Sequence, residues 1–295
     1  MKLTFLGTGT SHGVPVIGCK CRVCTSKDPK NRRTRCSSYI TSSDGTAILI
    51  DVSPEFRLQA LENKIKKIDC VLITHSHADH LHGIDDLRIF SSEKACTDSD
   101  SNSKKAKEFK NPPIPVYTNK KTADDIKVRF SYIFEPAKEG GGHAKIKLQS
   151  AEKTFDYKDV QITPVPLQHG HTECTGWLLC EKNRPKKKYI AYLTDCNHIS
   201  QSSYRLIHDT VKDGTLEHLI IDGLRIKPHS THFSFLEAME AADKIQAKHV
   251  WFIHLTHSSS HNDVIKYINQ NLKKFPNLQK SASVLPAFDG LSIKV

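Results

Sequence analysis

A short segment that follows an apolar run contains three histidines and one aspartate in an H-x-H-x-D-H pattern. The run, Cys70–Thr74, predicts a β-strand, and beyond the end of a strand the backbone can open into a loop in which these side chains converge. Imidazoles and a carboxylate packed this closely would repel one another or leave unsatisfied polar atoms unless a cation lay among them. The pattern therefore predicts a metal site formed by His75, His77, Asp79 and His80. His82, slightly downstream, is interpreted as a solvated histidine.

A second group of metal-competent side chains is a C-x-C-x-x-C cluster formed by Cys19, Cys21 and Cys24. In a cytosolic protein, clustered cysteines are metal ligands more often than disulfide partners. A disulfide between two of them is the alternative, and an iron–sulfur cluster is another. The loops between them are short, however, and the expected compartment is reducing. Together with the 17 histidines, this cluster makes metal chemistry the leading class of function.

These side chains need a framework that brings them together. Apolar, β-branched runs predict strands at Lys2–Leu6, Tyr39–Thr41, Thr46–Val52, Cys70–Thr74, Val160–Leu167, Tyr189–Thr194, His218–Asp222, Val250–His254 and Leu291–Val295. Helical patterns lie at Pro54–Asn63, Thr122–Phe134, Phe235–Gln246 and Asn262–Phe275. Ser234 and Glu237 give the third of these helices a capping-box signature. Because some strands are separated by only a few residues and others by helices, hairpins and crossovers must coexist. The pattern predicts a mixed-sheet α/β fold.

Composition sets wider limits on the class of protein. With 38% hydrophobic and 25% charged residues over 295 positions, the sequence is typical of a folded protein, which excludes the disordered, collagen-like and coiled-coil classes. No apolar stretch approaches the roughly 18–20 residues that a membrane span needs. The apolar segment at the start of the sequence, residues 1–7, is too short to form the apolar core of a signal peptide. We therefore expect a cytoplasmic protein with no membrane partner.

The net charge of +11 favours anionic partners such as phosphates, nucleotides or RNA. The alternative is that the lysine-rich loops serve only solubility. One such polar segment, residues 91–111, is rich in Ser, Lys, Asp and Asn and predicts a flexible surface insertion. We find no composition break that would divide the sequence, so a single domain over residues 1–295 is expected.

The H-x-H-x-D-H loop after a strand resembles the signature of the metallo-β-lactamase-fold hydrolases. That resemblance implies an αβ/βα sandwich of two mixed sheets flanked by helices, with a two-metal site at one edge. It also implies further ligands at strand ends, and three such residues occur in the family's order: His169, Asp195 and His254. By the same resemblance, one metal ion is held by His75, His77 and His169, the other by Asp79, His80 and His254, and Asp195 bridges them. Asp51 matches a family aspartate that orients ligands, although a turn-capping role is the alternative.

The segments Gly7–Ser11 and Gly13–Pro15, followed by the cysteine cluster, resemble the PhnP-type cyclic phosphodiesterases over Leu3–His257. That resemblance implies one structural Zn²⁺ on Cys19, Cys21, Cys24 and His257, besides two divalent ions (Mn²⁺ or Zn²⁺, with iron as a further option) in the active site. It also implies a histidine that acts as general acid. His232 fits this position better than His229 does, and a capping or structural role is its alternative.

The expected function is therefore metal-dependent hydrolysis of a small phosphodiester, such as a phosphoribosyl cyclic phosphate, in which Asp79, Asp195 and His232 carry the catalysis. Two cations sharing Asp195 would lower the pKa of a water between them, and His232 would protonate the leaving group. One alternative is a tRNA 3′-processing nuclease, but residues 170–194 give only 25 positions between His169 and Asp195 for a tRNA-gripping arm. Another is a noncatalytic accessory protein of cofactor biosynthesis, which the retention of all seven metal positions disfavours. The assembly could be a homodimer.

Overall fold

The computed structural model describes residues 1–91, 112–135 and 142–295. The insertion expected at 91–111 lies outside these residues except for Ser91. All strand and helix bounds below refer to the described part of the chain.

The strands of the described residues form two mixed sheets, as the family resemblance implies, and each sheet contains seven strands. The first sheet contains β1 (Lys2–Gly7), β2 (Ser37–Thr41), β3 (Ala47–Ile50), β4 (Cys70–Leu72), β5 (Ile114–Thr118) and β6 (Ile146–Ser150) in this order. The second sheet contains β7 (Phe155–Tyr157), β8 (Val160–His169), β9 (Thr172–Glu181), β10 (Lys187–Leu193), β11 (Gly214–Asp222), β12 (His249–Ile253) and β13 (Ser283–Pro286). The last strand, β14 (Ser292–Lys294), returns to the first sheet and pairs antiparallel with β1.

Helices cover the outer face of each sheet. They are α1 (Phe56–Glu62), α2 (Ala78–Leu81), α3 (Arg88–Ser91), α4 (Lys120–Arg129), α5 (Ser131–Phe134), α6 (Gln201–Val211), α7 (Phe235–Ile245) and α8 (His261–Asn271). Ser234 caps α7 in the predicted capping box with Glu237, and Ser260 forms a second box with Asp263 at the start of α8. These caps satisfy backbone N–H groups that have no partner within the helix.

Three apolar layers hold the sheets and helices together. Between the sheets, Phe5 and Leu72 of the first sheet share one core with Trp177 and Tyr192 of the second. A second core joins the first sheet to α1 and α4, and a third joins the second sheet to α6, α7 and α8. Both faces of the central strands are thus covered, which explains why they read in the sequence as continuous apolar runs rather than as alternating patterns. The predicted αβ/βα sandwich is confirmed.

Sequence patterns miss several elements. Among the strands, β5, β6, β7, β9 and β13 were not predicted; β5 contains Pro115, which argues against a strand interior, and β9 begins with polar residues. The helix expected over Thr122–Phe134 is wrong as a single element, because the backbone at Phe130 (φ −120°, ψ 40°) separates α4 from α5. The chain also forms α6 behind its cap Ser200, where no helix was predicted.

No helix in the described ranges combines the length and apolar character needed to cross a membrane.

Candidate metal centre

Strand direction brings the predicted ligands to one edge of the sandwich. Strands β8, β10, β11 and β12 all run in the same direction, so their carboxyl ends meet. His169 is the last residue of β8, Asp195 follows β10, and His254 follows β12. From the other sheet, the loop after β4 carries the H-x-H-x-D-H segment to the same edge. The structure therefore gathers all seven residues of the predicted two-metal site.

The first set consists of His75, His77 and His169, each of which offers one ring nitrogen within 4.8 Å of the others. His169 Nε2 lies 3.2 Å from His77 Nδ1. His75 is fully buried, and burial together with the charge of His80 holds its pKa well below the usual value. A neutral imidazole is the form that binds a metal ion.

The second set consists of Asp79, His80 and His254, joined by Asp195. His80 Nε2 lies 3.3 Å from Asp79 Oδ2 and 3.2 Å from Asp195 Oδ2. His254 Nε2 lies 3.5 Å from Asp79 Oδ2 and 3.2 Å from Asp195 Oδ1. Asp195 Oδ1 also lies 3.9 Å from His75 Nε2, so its carboxylate stands between the two sets.

These donors fit divalent cations. Ligands about 2.1 Å from a tetrahedral zinc ion lie about 3.4 Å from one another, close to the spacings in the second set. The Nε2 atoms of His75 and His80 are buried without a hydrogen-bond partner, although carboxylate oxygens lie nearby. Buried polar nitrogens without a partner are costly unless another atom takes their lone pairs. A cation in each set would do so.

The electrostatics point the same way. Burial opposes ionisation of Asp195, but the charges of His254 and His80 hold its pKa well below the usual range. Burial lowers the pKa of His80, yet the carboxylates of Asp195 and Asp79 raise it well above the usual value overall. The pocket thus favours a positive charge at His80, and a cation among the same carboxylates would supply it.

Three of the strand-end residues have left-handed backbone conformations without being glycine. The φ angles are 58° at Asp51, 53° at Asp195 and 60° at His254. Such a conformation costs about 1–3 kcal/mol per residue and persists only where the surrounding structure enforces it. Here it turns each side chain from the end of its strand toward the shared edge.

Hydrogen bonds outside the ligand sets orient most of the histidines. His80 Nδ1 donates to Asp51 Oδ2 at 2.7 Å, and the Thr74 hydroxyl donates to the same carboxylate at 2.9 Å. His75 Nδ1 lies 3.0 Å from that hydroxyl oxygen. His169 Nδ1 donates to the carbonyl of Thr231 at 2.6 Å. Asp51 therefore makes the ligand-orienting contact that the sequence left open against a capping role.

His232 lies beside both sets. Its ring stacks on His254 with centroids 4.5 Å apart and planes 16° apart, and its Nδ1 donates to Asp222 Oδ2 at 2.7 Å. Burial lowers the pKa of His232, but Asp222 raises it to about 9 overall. Ser234 rather than His232 caps α7. His229 contacts Thr231, with Nδ1 3.2 Å from its hydroxyl oxygen.

Asp222 is the functional residue that the sequence analysis missed. It ends β11 at the same edge as the ligands, and its Oδ2 also accepts from the backbone N–H of Cys196 at 3.0 Å. The sequence contained a signal for Asp222, because this aspartate is the last residue of the predicted strand His218–Asp222, and Asp195 directly follows the predicted strand Tyr189–Thr194. His82, by contrast, is exposed, in agreement with its interpretation as a solvated histidine. Its ring lies against Phe130.

The cysteine cluster forms a second candidate site. The sulfurs of Cys19, Cys21 and Cys24 lie 3.4, 3.5 and 3.4 Å from His257 Nδ1. A tetrahedral zinc ion with Zn–S of about 2.3 Å and Zn–N of about 2.0–2.1 Å would space these atoms about 3.5 Å apart. All three thiols are free, which leaves no disulfide between them. The four residues therefore fit one closed site.

The thiols differ in acidity. The backbone N–H of Cys24 and the ring of His257 lower the pKa of Cys21 to about 6, whereas burial raises the pKa of Cys24 to about 11. Cys21 is thus a readier thiolate than Cys24. Metal binding favours the deprotonated form of every thiol that it engages.

Comparisons with known proteins agree with this geometry. A family model described as the beta-lactamase superfamily domain matches residues 46–255. The crystal structure of a diphosphatase from the PhnP family is similar with a TM-score of 0.77 and 34% sequence identity, covering 100% of this chain and 97% of that chain.

Two curated relatives match over part of their length. An octanoyltransferase of Porphyromonas gingivalis is 33% identical over 259 residues, which are 87% of this chain and 46% of that protein. A ribonuclease Z of Borrelia garinii subsp. bavariensis is 28% identical over 196 residues, which are 65% of this chain and 55% of that protein. The chain thus spans about half the length of these relatives, so their activities do not pass directly to it.

Proposed function

This chain belongs to the beta-lactamase superfamily and to its PhnP family, and we propose that it is a metal-dependent phosphodiesterase that acts on a small cyclic phosphate, such as a phosphoribosyl cyclic phosphate. The observation that carries the proposal is the carboxylate of Asp195, which stands between two sets of buried metal ligands beside the His232–Asp222 pair. A two-cation site next to a positioned proton donor suits the cleavage of a phosphate ester.

In this proposal His75, His77 and His169 would hold one divalent ion, and Asp79, His80 and His254 would hold the other. Asp195 would contribute its carboxylate to both. Bound there, the cations would act as Lewis acids that activate a water and neutralise charge on phosphoryl oxygens. Imidazole and carboxylate donors suit Mn²⁺, Zn²⁺ or iron, and availability decides among them.

His232 is the proposed general acid. Asp222 Oδ2 accepts a hydrogen bond from the Nδ1–H group, which fixes the ring orientation and stabilises the imidazolium. One ring nitrogen of His232 lies within 4.8 Å of both His169 and Asp195, so the side chain reaches the space where a leaving group would depart. No serine or cysteine nucleophile is required.

Cys19, Cys21, Cys24 and His257 are proposed to hold a structural Zn²⁺. Four protein ligands leave no open position for substrate, which is typical of a structural rather than a catalytic zinc site. Free thiols in such a cluster suit a reducing compartment, so we also propose a cytoplasmic location. The homodimer stays a prediction.

Two other substrates follow from specific observations. The likeness to a PhnP-family diphosphatase favours a substrate in which a diphosphate bond is cleaved. The match to a ribonuclease Z favours a tRNA precursor, although the 25 residues between His169 and Asp195 are short for a tRNA-gripping arm. A phosphate-binding cationic surface would make RNA binding strongly salt-dependent.

A substrate panel tests the proposal. The purified chain, stripped of exchangeable metal and reloaded with Mn²⁺, Zn²⁺ or Fe²⁺, is assayed on a ribose cyclic phosphate, a linear dinucleotide, a diphosphate diester and a tRNA precursor. We expect the highest kcat/KM on the cyclic phosphate. A higher value on the diphosphate or on the tRNA precursor would replace the substrate assignment. Absence of turnover with both ions bound would favour the accessory-protein alternative.

A further inference from the structure

The ligand histidines differ in how their rings are oriented. His75, His80 and His169 each have an outer hydrogen-bond partner on Nδ1, namely Thr74, Asp51 and the carbonyl of Thr231. His254 and His77 have no such partner, but the buried ring of His254 stacks on His232. The side chain of His77, by contrast, is exposed, its Nδ1 faces His169 Nε2, and no described residue offers its other ring nitrogen a partner. Outer partners normally fix ligand orientation. The position of His77 must therefore be fixed in another way.

The residue before His77 is held on two sides by α4. The buried Ser76 donates its hydroxyl proton to Asp125 Oδ2 at 2.6 Å, and Arg129 donates from Nη1 to the Ser76 carbonyl oxygen. Asp125 and Arg129 also face each other, with Arg129 Nη2 3.9 Å from Asp125 Oδ2. Both the side chain and the backbone of Ser76 are thus tied to one turn of the helix.

The Ser76 carbonyl belongs to the peptide unit that leads into His77. Because a peptide unit is planar, a hydrogen bond that fixes its oxygen also fixes the direction in which the chain enters His77. We propose that Asp125 and Arg129 are positioning residues that act through Ser76 to hold His77 in place for the ion shared with His75 and His169. The inference rests on the metal binding in the proposed function, but it does not depend on the substrate.

Helix α4 is itself anchored close to the centre. Its cap Asn119 accepts from the backbone N–H of Thr122 at 2.8 Å and donates from Nδ2 to Thr175 Oγ1 at 3.0 Å. The backbone N–H of Thr175 in turn donates to the Thr74 carbonyl at 2.8 Å, immediately before His75. The helix therefore has a fixed position relative to the metal loop, which a positioning role requires.

The affinity for metal should change in opposite directions on removal of Arg129, depending on whether this residue acts only through its charge or by positioning Ser76. Removing a cationic side chain near a cation site should strengthen metal binding if only charge matters. Removing the hydrogen bond from Arg129 to Ser76 should weaken metal binding if Arg129 holds His77 in position. In Asp125→Ala both effects weaken binding, whereas Asp125→Asn keeps an acceptor oxygen and loses only the charge.

The test is a Co²⁺ titration of the purified full chain after removal of exchangeable metal, followed by visible absorption, which reports the geometry of the bound ion. We expect Arg129→Ala, Asp125→Ala and Ser76→Ala each to weaken one of the two Co²⁺ sites by about 10–100-fold and to alter its spectrum. Asp125→Asn should stay within a few-fold of the wild type. The double variant Ser76→Ala/Asp125→Ala should lose no more than Asp125→Ala alone, because the two residues share one hydrogen bond.

Asp124→Ala is the matched control, because Asp124 is the adjacent exposed aspartate and pairs with Lys127 instead of with the metal loop. Zinc retained by the cysteine cluster verifies that each variant is folded. Unchanged or tighter Co²⁺ binding in Arg129→Ala would overturn the inference. Two intact Co²⁺ sites without phosphodiesterase activity would overturn the proposed function alone, whereas failure of the wild type to bind Co²⁺ at this edge would overturn both.

Discussion

The His/Asp centre and the Cys/His cluster both bring together metal donors, but the chain builds them in different ways. The centre takes its residues from the ends of four strands in two sheets, and nearly all of them are buried. The cluster takes three donors from six consecutive residues of an irregular loop and adds His257; all four are partly exposed. One site is therefore fixed by the whole sandwich, and the other fixes a loop that has little packing of its own.

This difference predicts different chemistry. In the His/Asp centre, strained backbone, unsatisfied nitrogens and opposing pKa shifts concentrate around ligands of which one, His77, is exposed. In the cluster, four donors at about equal spacing would fill the coordination sphere of a tetrahedral ion. An open site is expected to exchange its ions and turn over substrate, whereas a closed thiolate site is expected to keep its ion and support the fold.

The largest expected effect is that of Asp195→Ala. This change removes the carboxylate between the two ligand sets and with it the charge that holds two cations together, so turnover should be abolished. Elemental analysis should detect the loss of one or both ions of the centre, while the zinc of the cysteine cluster remains. Asp209→Ala, an exposed aspartate on α6, is the control. Near wild-type activity in Asp195→Ala would rule out the two-metal interpretation.

The next largest effect is that of His232→Ala, and its size should depend on the leaving group. A sugar alkoxide needs a proton as its bond to phosphorus breaks, and a positioned general acid contributes about 10²–10⁴-fold. Loss of this magnitude is expected in kcat for a cyclic sugar phosphate, with a much smaller loss for a nitrophenyl diester. His229→Ala should be the milder control. Equal losses on both substrates with unchanged metal content would remove the general-acid assignment.

The smallest effect on turnover is expected for Cys21→Ser, which sharpens the contrast between the two sites. The variant should lose zinc and more than about 4 kcal/mol of unfolding free energy, because loss of a structural metal is among the causes of the largest mutational losses. The protein that remains folded should keep most of its kcat. In the wild type, mild chelation should remove the ions of the His/Asp centre before the zinc, as measured by released metal against time. No zinc difference between wild type and Cys21→Ser would refute the structural-zinc proposal.

The ligand types could be predicted from the sequence because their signals are local. His75, His77, Asp79 and His80 lie within six residues, and the three clustered cysteines lie within another six. The strand ends that carry His169, Asp195 and His254 follow from apolar runs and from a family resemblance. The spacing of residue types along the chain was enough for the two local clusters, whereas the three strand-end ligands also needed the family resemblance.

Apart from Asp51, which the family resemblance indicated, the tertiary structure alone decided which residues support the ligands. Asp222 meets His232 only because β11 ends beside the loop that precedes α7, and Asp125 and Arg129 meet Ser76 only because α4 packs against the metal loop, about fifty positions away in the chain. The inward turn of Asp51, Asp195 and His254 likewise depends on a left-handed backbone conformation that is uncommon for residues other than glycine. Local spacing reveals what a side chain can bind, but its partners and direction are set by strands and helices that come together only on folding.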